Sequence, residues 1–155
     1  MKLIPLALLL VAAPALARDK KAPAAPPLPT SVDGLPIGAI PTQQLPARGC
    51  AAFLWTRGPS HALVAMAVAD PSVLRLSIGG KVQDFALTAQ HGTGGYGFSQ
   101  SNEYRGGDVT ATLDLQVAAA DDVPGGARVG DSTLRIDRAG QDTIVVSVGG
   151  MIGCA

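Results

Sequence analysis

The chain has 155 residues, enough for one domain of ordinary size and too few for two. Lys plus Arg and Asp plus Glu number 12 each, so no long-range field draws it toward phosphate backbones or an anionic membrane face. Aromatics are 4% of the chain, which leaves little from which to build stacking platforms for single-stranded nucleic acid or exposed-ring surfaces for sugars.

Met1-Lys2 leads into an apolar run from Leu3 to Ala13, followed by Pro14-Ala15-Leu16-Ala17. Charge, apolar stretch and small residues in that order make a secretory leader over 1–17, with cleavage expected after Ala17. The run is about a dozen residues, short of the roughly 20 that span a bilayer, so no transmembrane span is expected after cleavage. The expected location is the periplasm or the exterior. No cysteine stands at the cleavage site to carry a lipid.

Residues 18–34 read as a proline-rich arm, with Pro23, Pro26, Pro27 and Pro29 excluding a helix and favouring extended chain. Arg18, Lys20 and Lys21 would head the exported product as a solvated basic terminus. The folded domain is expected over 35–155. Leu35, Ile37, Ile40 and Leu45 at its start are apolar enough to lie along its surface.

From Cys50 the pattern has period two. Val109, Ala111, Leu113, Leu115 and Val117 alternate with Thr110, Thr112, Asp114 and Gln116, the pattern of a strand with one wet face. The same alternation marks 74–78, 134–137 and 144–148. Residues 62–69 are apolar on both faces, which suits a central strand; periodicity alone does not separate this from a short buried helix, and the flanking Pro59 and Pro71 favour the strand. Glycine pairs and Pro124-Gly125-Gly126 supply hairpin turns. At Gly79-Gly80 a two-residue loop sets Leu74 opposite Phe85 and Leu76 opposite Gln83, and a bulged loop is the alternative. Seven or eight strands in series predict an all-β domain, a small antiparallel barrel or a compact sandwich, with the barrel preferred.

Cys50 and Cys154 are the only cysteines. In an oxidising compartment such a pair forms a disulfide, which would bring the two Cα atoms to about 5.5 to 6 Å and staple the first strand to the last.

Gly92-Thr93-Gly94-Gly95-Tyr96-Gly97 matches the G-x-G-x-x-G string, but no helical stripe follows it and no βαβ unit contains it. It reads as a glycine-rich hairpin, and no cofactor is expected. His61 and His91 belong to no metal-binding spacing, and no metal is expected. Ser60 and His61 are adjacent, so in a strand they would point to opposite faces, and no nucleophile elbow is present. Glu103 is the sole glutamate. No catalytic residues are assigned, and a non-enzymatic protein is expected; a hydrolase with an unrecognised site is one alternative.

Thr93, Tyr96, Tyr104 and Arg105 are the candidate binding residues, since Tyr and Arg anchor interfaces. The competing reading makes Tyr96 and Phe98 core residues of a strand that Tyr104 caps. Thr93-Gly94-Gly95-Tyr96, then Tyr104-Arg105-Gly106 and the alternating strand that follows, resemble the signature of the MliC-type exported inhibitors of c-type lysozyme. The resemblance implies a small β-barrel whose Thr93 and Arg105, standing for the family's serine and lysine, enter the enzyme's cleft. The expectation adopted is an exported β domain that binds or organises a periplasmic protein or envelope component, with lysozyme inhibition as the other alternative and the oligomeric state left open.

Overall fold

A computed structural model of the chain describes residues 26–155. The expected leader, its expected cleavage point and the first part of the expected arm lie outside the described residues. The strands, in chain order, are β1 (Ile37–Gly38), β2 (Cys50–Thr56), β3 (Leu63–Ala69), β4 (Ser72–Ile78), β5 (Lys81–Gly95), β6 (Phe98–Gly106), β7 (Val109–Asp114), β8 (Val117–Ala119), β9 (Ala127–Arg138) and β10 (Ile144–Cys154). No helix occurs among the described residues.

The wall is an antiparallel meander closed on itself. β2, β3, β4, β5, β6, β7, β9 and β10 each pair with the next, and β10 returns to β2, giving an eight-stranded barrel. Closure leaves no long free edge, which resolves the choice between barrel and sandwich. Two short strands lie off the ring: β1 extends alongside β4 past the end of β3, and β8 follows β9 past the end of β7.

The period-two pattern fixes which side chains fill the barrel. Val109, Ala111, Leu113 and Leu115 are all buried, while the residues between them face outward. They meet Leu54, Leu74, Phe85, Tyr104, Leu134 and Ile152, each at most 2% exposed, in one core. Eight strands enclose just enough room for such side chains, and burying each large one contributes about 1.5 to 3 kcal/mol.

β5 closes the ring by stagger. Its first residues, Lys81 to Ala86, pair with β4, and the rest from Ala86 pair with β6. The Gly79-Gly80 turn takes the unbulged register, with Leu74 opposite Phe85, Leu76 opposite Gln83 and Ile78 opposite Lys81. Gln83 is tolerated opposite buried Leu76 because this part of β5 runs beyond the end of β6, at an exposed rim.

The run at 62–69 forms β3, and its second apolar face is covered. Ala51 and Met66 on the outer wall pack under Ile40, flanked by Phe53, Leu63 and Val68. The chain before β2 is therefore strapped across the barrel. Ile40 N–H donates to Leu63 C=O at 2.8 Å, and Arg75 Nη1 donates to Gln43 Oε1 at 2.9 Å. The strap starts upstream of Leu35: Val32 and Ile37 are each 2% exposed in the main core, and Ala39 N–H bonds Pro29 C=O at 3.0 Å. Leu45 remains 48% exposed.

Cys50 and Cys154 form the disulfide. They are register partners in β2 and β10, with Cα atoms 4.0 Å apart, closer than the sequence-based expectation. The reason is the pairing: Ala155 N–H bonds Gly49 C=O, so the cysteines occupy a non-hydrogen-bonded position, where antiparallel strands approach most closely.

Candidate functional site

A surface cleft that gathers two of the sequence-selected residues, Thr93 and Tyr96, lies at the barrel end that carries the β5–β6 hairpin. Tyr96 and Gly97 form its two-residue turn with φ of +59° and +84°, between the paired residues Gly95 and Phe98. Two successive positive φ values match the right-handed twist of the flanking strands. A β-carbon on Gly97 would stand 2.6 Å from that of Ala69, so the tip folds down against the end of β3 and only glycine fits there. Tyr96 is held outward at 37% exposure, whereas Phe98 is a core residue.

Beside this tip the wall splits. β6 and β7 run together as far as Ser101 opposite Asp114, with one more bond from Leu115 N–H to Gln100 C=O at 2.8 Å. The chain then leaves β6 and stays with β9: Gln116 N–H donates to the buried Ser132 Oγ at 3.0 Å, Gly130 N–H to Gln116 C=O at 2.8 Å, and β8 follows. The gap is a cleft of about 510 Å³ bounded on one side by Thr93 to Tyr96 and Phe98 to Gln100, and on the other by Leu115 to Val117 and Ala119.

Asn102 explains why β6 takes no neighbour there. It is fully buried, and its carboxamide receives Ser99 N–H at 3.0 Å, donates to Ser99 C=O at 2.7 Å and to Leu113 C=O at 3.3 Å, and accepts from Gln90 Nε2 at 2.9 Å. Both main-chain groups of Ser99 are thus closed on a side chain. A buried amide is tolerated only when it is this fully bonded.

The four sequence-selected residues do not form one cluster. Thr93 and Tyr96 both line the cleft. Tyr104 lies inside the barrel at 1% exposure, where burial pushes its hydroxyl pKa above the ordinary value. Arg105 is on the outer wall, bonded to Glu103 Oε1 at 3.0 Å. It stands six residues past Ser99 in β6, about 20 Å along the strand. Sequence reasoning missed Asn102, Gln100, Gln116 and Ser132. The available signal was parity, since Asn102 shares the inward phase of Phe98 and Tyr104.

Ser60 Oγ donates to Asp33 Oδ2 at 3.0 Å, while His61, at φ +44°, borders a separate groove with Trp55 and Arg57. His91 is exposed on β5. Set against protein-family models, curated proteins and solved structures, the chain matches none.

Proposed function

We propose that the protein is an exported, non-enzymatic β domain of the cell envelope whose β5–β6 tip and adjoining cleft bind a partner. The observation that carries the reading is Tyr96: a partly exposed aromatic fixed by two positive-φ residues at the mouth of a cleft. A rigid ring presented at low conformational cost is what an interface anchor requires. Thr93, Ser99, Gln100 and Gln116 give the cleft polar groups of both donor and acceptor kind, and none is charged. The cystine fits secretion into an oxidising compartment, and the leader-like first 17 residues supply the route.

The inhibitor reading asks Thr93 and Arg105 to enter one enzyme cleft together. Thr93 on β5 stands at the tip end of the β5–β6 ladder and Arg105 at its far end, and this separation and the hold of Glu103 on the Arg105 guanidinium favour the tip alone as the binding element. The test is affinity capture from envelope extracts with wild-type protein and Tyr96→Ala, alongside a c-type lysozyme assay with Arg105→Ala. The reading expects a retained partner that is lost with Tyr96→Ala. Inhibition of lysozyme that Arg105→Ala abolishes would replace it.

A further inference from the structure

The divergence of β8 from β6 leaves a strand edge facing the cleft. Because Gly130 N–H bonds Gln116 C=O, the hydrogen-bonded positions along β8 and β9 are Gln116 with Gly130 and Ala118 with Arg128. Val117 and Ala119 occupy the alternate positions, so their N–H and C=O groups point away from β9, and both residues line the cleft. Among the described residues these groups have no hydrogen-bond partner. On the opposite wall the main chain of Ser99 is already closed on Asn102, so β8 is the side that can accept a strand.

Donor and acceptor pairs repeating at every second residue are matched by one kind of ligand, an extended polypeptide. Charge narrows it further. The cleft lining carries no charged side chain, while Asp114 and Asp121, which bracket β8 in the chain, form no ion pair among the described residues. We infer that the cleft binds an extended segment of a partner protein as an added strand on β8, uncharged where it pairs and carrying Lys or Arg beside that stretch. This rests on the cleft being the binding face and deepens that reading by naming the partner's chemistry.

The experiment selects a phage-displayed random octapeptide library on the purified protein, then synthesises the strongest binders with a methyl on each backbone nitrogen in turn. Strand addition predicts a period-two response, with binding falling about tenfold at every second position for each lost bond and unchanged between. Ala119→Pro deletes one cleft-facing donor and leaves the Ala118–Arg128 bonds, so it should weaken binding about tenfold at an unchanged melting temperature. The methyl scan on wild-type protein decides the matter should that variant be destabilised. Enrichment of flanking Lys or Arg completes the expected result.

A selection that yields no binder, or binders indifferent to methylation, overturns strand addition. Binders that Tyr96→Ala abolishes but methylation does not affect keep the cleft and overturn only the strand. Methyl-sensitive binders unaffected by both Tyr96→Ala and Ala119→Pro overturn the cleft as well. Protein that is dimeric by light scattering and becomes monomeric as Ala119→Pro would place a second copy on the edge and overturn the partner segment.

Discussion

The carboxamide of Asn102 pairs with the main chain of Ser99 as a neighbouring strand would, receiving its N–H at 3.0 Å and donating to its C=O at 2.7 Å. One buried side chain thereby ends the β6–β7 ladder and keeps the cleft open. Asn102→Ala would leave Ser99, Gln90 and Leu113 without these bonds, and a loss of about 2 to 4 kcal/mol is expected in urea unfolding. Hydrogen exchange at Ser99 should accelerate in the same variant. Unchanged stability and protection would show that Asn102 does not hold the split.

Gly97 answers for the seating of the hairpin tip. Gly97→Ala combines a positive φ with a β-carbon 2.6 Å from that of Ala69, and should cost about 1 to 3 kcal/mol. Adding Ala69→Gly removes the collision but not the backbone strain, so the double variant should recover part of the loss. Full additivity of the two changes would mean that the tip does not rest on β3.

The disulfide closes a sequence separation of 104 residues. Chain entropy puts the effect of opening a loop of that size at roughly 4 to 5 kcal/mol. Cys50→Ala with Cys154→Ala should therefore shift the urea midpoint well down while the native β spectrum is retained below it. An unchanged midpoint would show that the β2–β10 pairing closes the barrel unaided.

Arg135 Nε donates to Asp137 Oδ2 at 2.7 Å, and Thr143 Oγ1 donates to Oδ1 at 2.7 Å, holding the Asp137 carboxyl down at about 2. The ordinary value is about 4, so this group's contribution is complete above that pH and is lost as pH falls toward 2. The site is exposed and screened, so titration reads it better than stability. Carboxyl-detected NMR should find a midpoint near 2 that Arg135→Gln moves upward; a wild-type midpoint near 4 would contradict the hydrogen-bonded geometry.

Most of the barrel was legible in the residues because alternation reports which face a side chain takes. Val109, Ala111, Leu113 and Leu115 all fall inward as their spacing predicts, and the cysteine pair joins the ends. The same rule concealed the split. The alternation runs unbroken from Val109 to Val117, whereas the chain keeps β9 but loses β6 as a neighbour after Leu115, and side-chain phase carries no record of that. Nearness in sequence groups Tyr104 and Arg105 with Tyr96, and a strand undoes that grouping by sending adjacent residues to opposite faces and spacing them along its axis. Val32, inside a proline-rich stretch, is buried because Asp33 bonds the β2–β3 loop at Ser60 and turns the chain onto the barrel.

The central claim, that the hairpin tip is where a partner docks, is tested most directly by photo-crosslinking in the native envelope with a benzophenone side chain placed at Tyr96 or at Val145, an exposed residue of β10. A discrete adduct from the Tyr96 position and none from Val145 is the expected result. Adducts from Val145 alone, or none from Tyr96 while the protein is retained on a partner, would contradict it.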